Sequence, residues 1–393
     1  MTDRKPAAEL IHHPYQPPAG FASPVEPVHK GSSIFFPNVA ALKRVRWADR
    51  DAYTYGLQGT PTTFALEARL ATLEGAEHIL LAPSGLAALN LVNQTFLKSG
   101  DHLLLPDNVY GPSRNAARHE LAQWGITFDV YDPLDPADLA ARLTPATRLV
   151  WLEAAGSVTL EFPDLPALVA AVRERAPQAL IALDHTWGAG LAFAPFDFGV
   201  DVTIHALTKY PSGGGDVLMG SIGCRDRALY ERLAAAHGRS GLGVGANDVE
   251  LVLRGLATLP LRYAAQDAAA RQVAAWAQQH PAVRQVLHPA LPGSPGHAAW
   301  ARDAQAAAGL LTLTFHEGVS SAAVEAAADR LRVFRLAWSW GGPVSLAVPY
   351  DLALLRSLPG GRRGPVLRLA IGLEEPEVLT TDLAQALAPL AGG

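Results

Sequence analysis

Short aliphatic runs alternating with helical stretches constrain this 393-residue chain more than any other feature. Residues 78–81, 102–105, 126–131, 149–152 and 179–183 read as strands, and the stretches 86–97, the one after Pro112, and 165–175 read as the helices between them. Strands that are apolar throughout, rather than at every second position, are buried on both faces. That pattern implies an α/β fold with a mostly parallel sheet covered by helices on each side. Ligands on such sheets gather at the carboxyl ends of the strands.

The remainder of the chain divides around this region. Residues 1–60 are proline-rich and weakly periodic, with Pro14, Pro17, Pro18, Pro24 and Pro27 set against regular helix. Thr63 is expected to cap a helix carrying the apolar stripe Leu66, Leu70 and Leu73. Beyond about Leu256 the pattern becomes α+β, with alternating strands at 311–315 and 366–371, each followed by helix. The chain is too long for one compact core. We therefore expect an N-terminal segment over 1–60, a large domain over 61–255 and a smaller C-terminal domain over 256–393.

Three features then converge. Val202, Ile204 and Ala206 alternate as a strand that ends at Thr208-Lys209, followed by a glycine run and a second apolar strand at 217–222. Most lysines are surface residues, but an amine held among apolar walls loses its charge readily and becomes a usable nucleophile. One strand earlier, the aliphatic run 179–183 ends in Asp184. A Schiff-base lysine beside a carboxylate that keeps a pyridine nitrogen protonated is what a pyridoxal phosphate (PLP) enzyme needs. The third feature is Ser84-Gly85-Leu86-Ala87-Ala88, a strand-to-helix junction that presents free amides and a positive helix end to a phosphate.

The segment 205–216 resembles the lysine signature of the Cys/Met-metabolism PLP enzymes, the group of cystathionine lyases, cystathionine γ-synthase and methionine γ-lyase. The resemblance spans nearly the whole chain, through Tyr55-Gly56 with Gly59-Thr60, Asn108-Val109-Tyr110, Glu153 with Gly156-Ser157, Leu183-Asp184-His185-Thr186-Trp187, Ser339-Trp340-Gly341-Gly342 and Arg368-Leu369-Ala370-Ile371-Gly372. Within that family the chain is most similar to the bacterial cystathionine β-lyases, through Trp338-Ser339-Trp340-Gly341-Gly342 and residues 288–294.

The resemblance implies a fold-type I, aspartate aminotransferase-like architecture with a seven-stranded sheet, and PLP-dependent α,β-elimination of L-cystathionine. It implies Lys209 and Asp184 on the cofactor, Tyr110 stacked on its ring, Gly85, Leu86, Thr208 and Tyr55 at its phosphate, and Arg368 clamping the substrate carboxylate with help from Ser339. Trp340 and Tyr55 then bound the leaving-group pocket. The N-terminal segment becomes an arm reaching a neighbouring subunit, in a homotetramer with shared sites. The chain departs from the family pattern in the run Gly213-Gly214-Gly215, where a histidine is common, and at two positions expected near the phosphate: Leu57 stands where an arginine is common, and Ala206 where a hydroxyl is common. Both remove phosphate partners, so weaker cofactor retention is expected.

Other functions fare worse. The net charge of -5, from 37 acidic and 32 basic residues without a basic stripe, argues against nucleic acid. A single cysteine, Cys224, gives neither a disulfide framework nor a metal cluster. No signal peptide or apolar span is evident, which suggests a cytoplasmic protein. The glycines around 213–221 complete neither a P-loop nor a dinucleotide fingerprint. The histidines lack metal spacing, and His185 reads equally as packed or as support for Asp184. The remaining alternatives are a γ-acting relative, a cysteine-conjugate β-lyase, or a PLP-binding regulator without turnover.

Overall fold

The computed structural model describes residues 6–13, 19–21, 23–45, 52–359 and 361–391. Residues 1–5, 14–18, 22 and 46–51 of the expected arm lie outside the described residues, Pro14, Pro17 and Pro18 among them. Seven strands form the first sheet: β1 (His78–Ala82), β2 (His102–Pro106), β3 (Thr127–Tyr131), β4 (Thr147–Glu153), β5 (Leu180–Asp184), β6 (Val202–Ala206) and β7 (Gly220–Cys224). Their order is β1-β7-β6-β5-β4-β2-β3. All neighbours are parallel except β7, which runs antiparallel to both β1 and β6.

The apolar runs explain this arrangement. Every residue of β2 is buried, as are Val150 to Leu152 of β4 and Ile181 to Leu183 of β5, so both faces of the sheet must be covered. Helix Pro61–Glu74 covers one face with Leu66, Leu70 and Leu73, and helix Gly85–Phe96 covers the other with Ala88, Leu89, Leu91 and Val92. Strand order reverses between β2 and β4, because the chain proceeds outward to β3 and then returns to continue through β5 and β6. That reversal opens a crevice at the carboxyl ends of β2 and β4.

Five further strands make a smaller sheet: β8 (Val283–Leu287), β9 (Leu310–Phe315), β10 (Arg335–Leu336), β11 (Leu346–Asp351) and β12 (Pro365–Ala370), in the order β10-β11-β12-β9-β8. Helix Leu259–Ala277 links the two cores, burying Leu259 and Tyr263 with the first and Val273, Ala274 and Ala277 with the second.

Three expectations are corrected. The helix expected to be capped by Thr63 starts a step earlier, at Pro61. Thr60 is its cap, and Thr63 is the reciprocal member of a capping box. The strand expected over 217–222 spans Gly220–Cys224, because the preceding residues are drawn toward Thr208, whose hydroxyl bonds both the amide and the carbonyl of Met219. The proline-rich beginning nevertheless forms a short helix, Pro6–Ile11, that buries Leu10 in the main core. No helix among the described residues is long and apolar enough to cross a membrane.

Candidate active site

A cavity of about 710 Å³ opens at the carboxyl ends of the parallel strands, and Lys209, Asp184, Tyr110 and Glu153 all line it. Each arrives by a local rule. Asp184 is the last residue of β5 and Glu153 the last of β4, and the two are paired in register across these strands. Tyr110 stands in the turn after β2, at the start of helix Gly111–Ala116. Lys209 lies in the turn after β6, where its amide bonds back to the Ala206 carbonyl.

The Lys209 ammonium donates to Ser339 Oγ at 3.0 Å and sits 5.5 Å from the centre of the Trp340 ring. Burial, reinforced by the nearby Arg368 guanidinium and opposed by Asp184, lowers its pKa to about 8. An appreciable share of the amine is therefore neutral near pH 7 to 8, the form that acts as nucleophile and base. Asp184 accepts from the Thr186 amide at 3.0 Å, yet burial still holds its carboxyl above the usual range. Behind it, on the opposite face of the sheet, Glu74 accepts from Nδ1 of His185 at 2.8 Å and from Nδ1 of His205 at 3.0 Å. Burial disfavours the Glu74 anion, but these imidazoles hold it ionised well below the ordinary carboxylate range. His185 thus anchors the turn that carries Asp184 and does not itself enter the cavity.

Helix Gly85–Phe96 begins at the cavity wall. Ser84 Oγ caps the Ala87 amide at 3.0 Å, which leaves the Gly85 and Leu86 amides without a partner among the described residues. Glycine is required at this junction. A Cβ on Gly85 would lie 2.6 Å from the Ala206 Cβ, and one on Gly220 would lie 2.4 Å from the Ser84 carbonyl oxygen. Ala206, the position lacking the family's common hydroxyl, is therefore packed against the helix start. Thr208 also lines the cavity, with its hydroxyl donating to the Met219 carbonyl.

The smaller sheet supplies the opposite wall. Arg368 projects from β12, is only 5% exposed, and donates to the Ser157 carbonyl at 3.3 Å. Its guanidinium lies 5.3 Å from the centre of the Tyr350 ring and has no carboxylate partner among the described residues. Burial pulls its pKa down. A buried cation without a counter-ion is costly, and a carboxylate is the anion its planar fork fits best. Tyr350, Arg356 and Leu354 also reach the cavity and escaped the sequence reading, although Tyr350 falls at an alternate position of a strand. Tyr55 is not among the cavity-lining residues of its own chain; it is 43% exposed and bridges to Ser33.

These groups fit pyridoxal phosphate. Two unpartnered amides at a helix start suit its phosphate, a half-neutral amine suits its aldehyde, and an enclosed carboxylate suits its ring nitrogen. Fold and cavity together define a fold-type I PLP-dependent enzyme.

The profile of the Cys/Met metabolism PLP-dependent enzymes matches residues 7–388, and the chain belongs to that family. It is 36% identical over 390 residues to cystathionine beta-lyase MetC of Escherichia coli, covering 98% of each chain. It is 34% identical over 376 residues to an L-alanine/L-glutamate racemase of Wolbachia pipientis, covering 93% of this chain and 92% of that one. The crystal structure of metB from Corynebacterium glutamicum superposes with a TM-score of 0.90 at 27% identity, covering 99% of both chains.

Proposed function

We propose that the protein is a carbon-sulfur β-lyase that cleaves L-cystathionine to homocysteine and aminoacrylate, which one water hydrolyses to pyruvate and ammonia. The observation that carries this reading is the opposition of Lys209 and Arg368 across one cavity: an amine poised near neutrality faces a buried guanidinium with no carboxylate partner among the described residues. Such a pair receives an α-amino acid by its carboxylate and offers a base to its Cα.

Lys209 would hold the cofactor, Asp184 its ring nitrogen, Gly85, Leu86 and Thr208 its phosphate, and Tyr110 a face of its ring. When bound, PLP supplies an electron-accepting ring that spreads the negative charge left at Cα. Arg368 fixes the substrate carboxylate and thereby the direction of the Cα–H bond, an orientation worth several powers of ten in rate. Ser339 holds the Lys209 amine before it takes the Cα proton. Lys209 then returns a proton to the departing sulfur, so one group serves as base and acid in turn. Trp340, stacked edge-on against Tyr210 at 5.4 Å between ring centres, walls the side on which the thiol leaves.

We also propose a large domain over 61–255, a smaller one over 256–393, and an arm over 1–60 that docks on another copy in a homotetramer. Exposed apolar residues along the arm support this, Phe35 being 97% exposed and Val39 67%. In that assembly Tyr55 reaches the neighbouring cavity. Keto-acid identification on the PLP-loaded protein given L-cystathionine tests the function. Pyruvate is expected; 2-oxobutyrate would assign a γ-lyase, and racemised amino acid without keto acid would assign a racemase.

A further inference from the structure

Glu153 has no role in the function proposed above, yet it occupies the centre of the crevice. It ends β4, at the point where strand order reverses, and faces Asp184 in register on β5. It is 7% exposed and lines the same cavity as Lys209. One carboxyl oxygen accepts from the Tyr110 amide at 2.8 Å, and the other has no partner among the described residues. Glu153 therefore fixes the main chain from which the Tyr110 ring projects, and its other oxygen is left to a ligand of the cavity that both residues line.

Two carboxylates side by side in an enclosed cavity cannot both carry charge cheaply, and their surroundings decide which one does. Asp184 has the Thr186 amide, with His185 and His205 behind it, all favouring the anion. Glu153 is opposed by burial and by Asp184, with Glu161 adding to the repulsion, and only the Tyr110 amide and Arg356 favour its charge. Arg356 is itself committed to Glu161, at 2.8 and 3.0 Å. The balance puts the Glu153 carboxyl well above the ordinary carboxylate range. A neutral carboxylic acid whose one oxygen accepts an amide has a hydroxyl left to donate.

We propose that Glu153 is a cofactor-contacting residue that holds Tyr110 and donates a hydrogen bond to the anionic oxygen borne on the ring of bound pyridoxal phosphate. The assignment rests on the reading that the ring lies between Tyr110 and Asp184. It divides labour between neighbouring strands: Asp184 is the anion for the ring nitrogen and Glu153 the donor for the ring oxygen. Gln is the faithful replacement, since its carbonyl accepts from Tyr110 and its amide donates, whereas Ala does neither.

The test measures cofactor affinity by equilibrium dialysis for the wild type, Glu153→Gln and Glu153→Ala, each with PLP and with its analogue lacking the ring oxygen. We expect Glu153→Gln to hold PLP within about threefold of the wild type and Glu153→Ala to lose on the order of tenfold, the worth of one hydrogen bond to a charged group. The loss should shrink for the analogue, which has no oxygen to receive the bond. Equal losses for both ligands in Glu153→Ala would reduce Glu153 to a structural anchor and overturn the proposal, as would Glu153→Gln binding as weakly as Glu153→Ala. A wild type that takes up neither ligand would instead remove the proposed function, and this assignment with it.

Discussion

The Nζ of Lys209, in the turn after β6, reaches Ser339 Oγ in the loop between β10 and β11, so one hydrogen bond of 3.0 Å spans from the large sheet's edge of the cavity to the small sheet's edge. It is a lure for the amine as well as a brace between walls, because it fixes Lys209 over Trp340. Replacing Ser339 by Ala should lower kcat/KM for cystathionine by about 10- to 100-fold, the range of a single hydrogen bond to a charged donor. The thermal midpoint should change little, and steady-state kinetics with differential scanning calorimetry check both.

Arg368 makes the clearest trade between stability and function. Its guanidinium is buried without a counter-ion among the described residues, so a Leu of similar reach should stabilise the cofactor-free protein, by about 1–3 kcal/mol. The same Arg368→Leu change removes the carboxylate fork and should reduce kcat/KM by on the order of 100-fold or more, mainly through KM. Denaturant titration and kinetics on one preparation measure the two effects, which must have opposite signs.

Glu153 adds a pH dependence to folding. Its carboxyl titrates higher in the folded chain than in the unfolded one, where about pH 4 is expected. Between those values the folded state binds more protons than the unfolded state, so stability falls as pH rises through that window and is undiminished below it. Glu153→Gln removes the titration. The variant should gain stability over the wild type at pH 8, and the gain should shrink toward pH 4, as urea unfolding of the cofactor-free proteins at the two pH values would show.

Leu57 follows Tyr55 on the arm, and its side chain packs toward Gly243, away from its own chain's Lys209 cavity. If the arm serves a neighbouring copy, Leu57→Arg supplies the phosphate cation that this sequence lacks and should tighten PLP retention by about tenfold, a charge-assisted bond's worth. Dialysis of the loaded proteins compares them. Equal retention would mean that residue 57 does not reach a phosphate.

The large sheet was legible because its signals are local. Aliphatic runs that stop at Asp184, or that pass into Thr208-Lys209, mark strand ends without reference to anything distant, and the junction at Gly85 carries its own geometry. The second wall was legible only at Arg368, Ser339 and Trp340, through motif likeness. Tyr350 and Arg356 come to the cavity from the far part of the chain, and the ion pair of Arg356 with Glu161 joins residues 195 positions apart. No periodicity encodes such a meeting. The nearness of Glu153 to Asp184 depends on the register between β4 and β5, which neither strand's own pattern specifies. At the start of the chain, prolines masked a helix because tertiary burial of Leu10 outweighs weak local preference.

The central claim is that Lys209 carries the cofactor, and borohydride reduction of the PLP-loaded protein, followed by peptide mass mapping, tests it most directly. Reduction converts a lysine–pyridoxal bond to a stable secondary amine, so one phosphopyridoxyl group is expected, on the peptide containing Lys209. Label on another lysine at equal or greater yield, or no label on a protein that retains the cofactor, would contradict it.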